Sequence, residues 1–223
     1  MPDYLRSPTC WLLFLGAGLA TGMLTPVVMW LAKWIGAVDG GGYRKVGACG
    51  IARLGGPAIA LPFVVACLLG LWGPTGMLGL IEAQGPSLLV LAFGCAAIVG
   101  LGIVDDSRGL RARHKLLVQI AVAAVVCASG HVVTSFALPF VGTIHLGYVF
   151  GTIFTLFWIV GLINAFNLID GVDGLAAGIA LIGSVALAIL AAINGATFVV
   201  LLCLALSGSL LAFLPFNFYP ARV

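Results

Sequence analysis

The chain has 223 residues, 62% of them apolar and 8% charged, and its mean hydropathy is +1.23. Soluble domains carry roughly 25% charged residues. A chain this apolar could not cover its own surface with polar groups, so a water-soluble globule is excluded in favour of a membrane protein. The net charge of +3 says little until the charges are placed, and no nucleic-acid partner is expected. A signal peptide would explain one N-terminal segment, but here the apolar runs continue to the C-terminus.

A spanning helix needs roughly 20 apolar residues, and seven such stretches follow one another: 12–35, 57–74, 87–104, 116–130, 148–166, 175–193 and 197–215. The predicted fold is therefore all-α, a polytopic membrane helix bundle formed by residues 1–223 as one transmembrane domain. Between the fourth and fifth spans, GHVVTSFALPFVGTIHLGY is rich in Gly, Pro and β-branched residues and predicts a short surface hairpin or loop. The six cysteines form no CxxC pair and sit mostly in apolar runs, as small buried residues do. His114, His131 and His145 lack metal-ligand spacing.

Lys and Arg orient the spans. With the N-terminus outside, Lys33, Arg44, Lys45, Arg53, Arg108, Arg111, Arg113, Lys115 and Arg222 all fall inside, and Arg6 alone falls outside. The same orientation puts Asp39, Asp105, Asp106, Asp170 and Asp173 on the inner face. Carboxylates at span ends suggest an interfacial active site. A transporter's ion path, the reading from another class, would more naturally use mid-span carboxylates.

Four inner stretches bear chemistry. GAVDGGGYRKVGACGIARLGG (36–56) is a glycine-rich basic loop, fit either for close approach to a ligand or for anionic lipid heads. In GIVDDSRGLRARHKLLVQ (102–119) adjacent carboxylates directly precede a basic cluster. Either this is a positive-inside loop whose acids offset its bases, or a divalent cation meets the carboxylates while phosphates meet the bases. In NAFNLIDGVDGLAAG (164–178), Asn164, Asn167, Asp170 and Asp173 recur every third residue. Span five is expected to end near Asn167, and Asp173 to cap span six, which still leaves three polar side chains without a structural role. In FLPFNFYPARV (213–223), Asn217 stands alone at a span end.

Together these stretches resemble the polyprenyl-phosphate N-acetylhexosamine-1-phosphate transferases. The resemblance rests on Val38-Asp39, Arg44-Lys45 and Arg53-Leu54-Gly55-Gly56; on Asp105-Asp106 followed by Lys115-Leu116 and Gln119; and on Asn164 through Ala176. The Arg-Leu-Gly-Gly loop is similar to that of the branch transferring GlcNAc-1-phosphate for cell-surface polysaccharides and cell-wall polymers. The phospho-MurNAc-pentapeptide transferases of peptidoglycan synthesis carry a different loop there.

The resemblance implies an enzyme of the plasma (inner) membrane working at its cytoplasmic face. A polyprenyl phosphate such as undecaprenyl phosphate would attack the β-phosphate of a UDP-N-acetylhexosamine and release UMP. Asp105 would be the base or position the lipid phosphate, with Asp106 beside it. Asn167 would help hold Mg²⁺, which Mn²⁺ could replace. Asp170 and Asp173 would bind the nucleotide, with Lys45, Lys115 and Asn217 as further substrate-binding residues. A homodimer is compatible with this reading. The sequence departs from the family pattern in two places. Gly47 stands where the family has His after the Arg-Lys pair, and a further metal-binding Asp is expected shortly beyond Val223. The chain alone is therefore expected to insert but not to catalyse at a normal rate; a non-catalytic scaffold is the third reading.

Overall fold

The computed structural model describes residues 8–38, 51–71 and 78–223. Among them seven helices and one hairpin follow in order: α1 (Pro8–Trp34), α2 (Gly55–Leu71), α3 (Leu78–Arg108), α4 (Ala112–Ala128), β1 (Ser135–Leu138), β2 (Gly142–His145), α5 (Gly147–Ile169), α6 (Leu175–Ile193) and α7 (Thr197–Asn217). Each predicted span overlaps a helix, residues 72–74 of the second lying outside the described residues, and the predicted hairpin forms. Five helices are long and apolar enough to cross a membrane. The other two, α2 and α4, have 17 residues each. At ~1.5 Å per residue they reach about 26 Å, close to the ~30 Å hydrocarbon core. The protein is a multi-pass helical membrane protein.

The third helix outruns its predicted end at 104 by one turn. No breaker intervenes before Gly109, which turns the chain at φ +64°. Asp105 and Asp106 thus lie in the last turn of α3 rather than after it.

The chain forms two compact units, Met1–Leu88 with Ile169–Val223, and Leu89–Leu168. In the first, α7 packs on α1, α2 and α6. The helices α1 and α7 meet backbone to backbone: a Cβ at Gly208 would run into the carbonyl oxygen of Phe14, and one at Gly18 would lie 3.1 Å from the carbonyl oxygen of Gly208. Close approach of this kind gives van der Waals contact where lipid offers no hydrophobic drive for association. Ser184 of α6 and Ser207 of α7 add a hydroxyl pair at 2.8 Å. Val28, Ala32, Leu54, Ala58, Leu210 and Phe213 belong to one buried cluster where α1 and α7 end and α2 begins.

In the second unit the hairpin pairs Ser135 with His145 through Leu138 with Gly142. It sits at the start of α5. There Val133 N–H donates to Thr155 Oγ1 at 2.9 Å, and Phe136 stacks on Phe154 with centroids 5.7 Å apart.

Candidate functional site

In the second unit, α3 and α4 are joined by a connection of three residues, Gly109-Leu110-Arg111. Asp105 braces it. One carboxylate oxygen accepts the Leu110 N–H at 2.9 Å, and the other pairs with the ammonium of Lys115 in the first turn of α4. Asp106, the next residue on α3, is half-buried. Arg108, Arg111, Arg113 and His114 crowd the same connection, all exposed. Acid and base that the sequence left as neighbours in a loop are here assembled by a tight helical hairpin.

One turn along α4 from Lys115 stands Gln119, only 5% exposed. Its Oε1 accepts a 2.6 Å hydrogen bond from Asn164 Nδ2 on α5, which also donates to Val160 O at 2.8 Å. Asn167, one turn further along α5, is exposed. Sequence reasoning placed Gln119 in a motif without giving it a role. Its signal was the four-residue spacing from Lys115, which puts both on one helix face.

In the first unit, Asp170 is exposed in the turn between α5 and α6. The expected N-cap at Asp173 is corrected: Gly174 occupies the cap position at φ +71° without a side-chain cap bond. A left-handed backbone favours glycine, and the ring of Phe218 lies 3.0 Å from where a Cβ would be. Asp173 is thereby released to accept the Ala221 N–H at 3.1 Å. Asn217 Nδ2 donates to Val223 O at 2.6 Å. Both predicted substrate ligands therefore hold the segment after α7. That segment is also bonded through Ala52 N–H to Arg222 O at 3.3 Å, and Arg53 N–H donates to Ala37 O at 3.0 Å.

Of the Arg-Leu-Gly-Gly glycines, Gly55 leaves room for the Phe213 ring and Val223 rather than for a ligand, whereas Gly56 faces open space. Asp39, Arg44, Lys45 and Gly47 lie outside the described residues.

The described residues form apolar helices, five of them long enough to cross a membrane, with acids and bases gathered at the connection of α3 and α4. The chain belongs to glycosyl transferase family 4, whose model matches residues 88–223. Over 212 residues it is 36% identical to a probable undecaprenyl-phosphate N-acetylglucosaminyl 1-phosphate transferase of Bacillus subtilis, covering 94% of this chain and 56% of that protein. A decaprenyl-phosphate N-acetylglucosaminephosphotransferase of Mycobacterium tuberculosis is 34% identical, over 94% of this chain and 54% of its own length. A phospho-N-acetylmuramoyl-pentapeptide-transferase of Staphylococcus saprophyticus is 34% identical over 78% and 56%. The chain spans about half the length of these curated relatives.

Proposed function

We propose that the chain serves the transfer of N-acetylglucosamine 1-phosphate from UDP-GlcNAc to a polyprenyl phosphate at the cytoplasmic face of the plasma membrane, with its N-terminus outside. The observation carrying this reading is the 36% identity along 94% of the chain to a relative named for that reaction. The peptidoglycan transferase is the second reading. It is favoured less because that relative matches 78% of the chain and because the Arg-Leu-Gly-Gly loop resembles the first branch.

In the reaction a phosphate oxygen of the lipid forms a bond to the β-phosphorus of the UDP-sugar. The bond from that phosphorus to the oxygen bridging the two phosphates breaks, and UMP leaves with the electron pair. A phosphate monoester is largely dianionic at neutral pH, so a strong base is dispensable. Asp105, bonded by Lys115 and the Leu110 N–H, suits an anchor for this geometry better than a free base. Arg108, Arg111 and Arg113 supply positive charge for phosphates beside it. Asp170, in the turn just after Asn167, is assigned to the nucleotide.

Asp105, Asp106 and Asn167 offer only oxygen donors, the set a hard cation prefers. No three acidic, His or Cys side chains gather among the described residues. Mg²⁺ is usually held by one or two carboxylates plus water and phosphate oxygens. Bound there, Mg²⁺ or Mn²⁺ would neutralise phosphate charge.

The test is the melting temperature of the purified chain in detergent. UDP-GlcNAc with Mg²⁺ is expected to raise it, since a ligand stabilises the state that binds it; Asp106→Ala is expected to remove the shift. A shift with UDP-MurNAc-pentapeptide alone would select the second reading, and no shift with either nucleotide would reject both.

A further inference from the structure

In the spans, polar side chains are rare. Along α4, Gln119 is the one polar side chain between Lys115 and Ser129; along α5, Asn164 is the first after Thr155. Each is the other's partner, at 2.6 Å. Apolar helix faces can slide past one another with little penalty, whereas a single polar pair between them favours one register, as an Asn does in coiled coils; here Gln119 is buried, Asn164 is exposed and the bond joining them is part-buried. Gln119 stands one turn from Lys115, and Asn164 one turn from Asn167. The amide bond therefore ties the helix carrying the Asp105–Lys115 pair to the helix carrying Asn167.

We infer that Gln119 and Asn164 form an amide clamp that sets the register of α4 against α5 and so act as positioning residues for Lys115 and Asn167. The inference rests on the proposed transferase reading for its consequence, though not for the clamp itself. Neither residue is required to touch substrate. Asn164 commits both amide hydrogens, to Gln119 and to Val160, which leaves it a fixed donor rather than a ligand for phosphate.

The experiment uses the full chain in lipid nanodiscs, with native cysteines replaced and spin labels at Ala112 and Leu168. Both sites are exposed, one at the start of α4 and the other near the end of α5. Pulsed electron-spin resonance gives the distance between them. The parent should show one narrow distance. The apolar pair Gln119→Met with Asn164→Leu, matched in shape, should broaden it or move it by up to about one helical turn, ~5 Å. The reciprocal pair Gln119→Asn with Asn164→Gln keeps two amides and the same total side-chain length, and should restore it. Gln119→Met alone leaves Asn164 bonded to Val160; as the gentler change it should broaden the distance if the apolar pair does not fold.

In the unlabelled proteins, affinity for UDP-GlcNAc with Mg²⁺ should fall about tenfold or more in the apolar pair, a change of ~1.4 kcal/mol, and recover in the amide swap. A parental distance in folded apolar variants would overturn the clamp. An altered distance with unaltered affinity would overturn the positioning role. Absence of nucleotide binding in the parent would instead reject the transferase reading, while the distances still decide the clamp.

Discussion

Asp105 and Asp173 show how the same side chain reads differently once its partners are known. Asp105 faces an ammonium and a backbone N–H. With its side chain 23% exposed and that of Lys115 31%, the ion pair contributes at most about 1 kcal/mol to stability. Lys115→Met is therefore expected to leave the melting temperature of the free chain nearly unchanged while abolishing its stabilisation by UDP-GlcNAc; a large loss of stability without ligand would make Lys115 structural. Asp173 accepts the Ala221 N–H. Replacing it with Ala strands the Ala221 N–H, a loss of about 1–2 kcal/mol. Hydrogen exchange at Ala221 should accelerate while exchange within α6 stays as it was, because Gly174 rather than Asp173 occupies that helix's cap position. The Asp105 brace was half legible, since acid and base stand within one motif. The bond from Asp173 to Ala221 was not, because it joins residues 48 apart in sequence and the local pattern pointed to an N-cap.

Helices declare themselves through length and hydropathy, and all seven were legible for that reason. Their ends depend on breakers: Gly109 extends α3 past the predicted boundary because nothing earlier stops it. Which helices touch was not legible. Glycines fill this chain, and nothing local distinguishes Gly208, which admits the backbone of Phe14, from Gly16, where an added Cβ would meet nothing within 4 Å. That difference gives a paired prediction. Gly208→Ala forces α1 and α7 apart and should cost about 1–3 kcal/mol, the range for overpacking. Gly16→Ala meets no neighbour and should be neutral, or stabilising by up to ~1 kcal/mol through helix propensity. Unfolding midpoints of the two variants in mixed detergent micelles measure the contrast; equal midpoints would mean that α1 and α7 do not approach at Gly208.

Sidedness is a property of the whole molecule, and charge is its physical cause. Translocating a basic loop against the positive-inside bias is unfavourable, and Arg108, Arg111, Arg113 and Lys115 concentrate four such charges at one connection. The second unit fixes what lies opposite. The connection after α3 and the hairpin flank the two ends of α4, whose 17 residues span about 26 Å. If α4 crosses the bilayer, Ser107 and Ser135 must therefore be on opposite sides. Both are exposed, so each can be replaced by Cys in a background without native cysteines and offered a membrane-impermeant maleimide. In sealed cells Ser135→Cys is expected to label from outside, and Ser107→Cys only after the membrane is permeabilised. Neutralising Arg108, Arg111 and Arg113 together should weaken this preference, since the bias is electrostatic and counts Lys and Arg near span ends. Labelling of both sites from outside would mean that α4 does not cross. Labelling of Ser107→Cys alone would invert the topology, carrying Asp105, Asp106 and Lys115 away from the cytoplasmic nucleotide that the proposed reaction consumes.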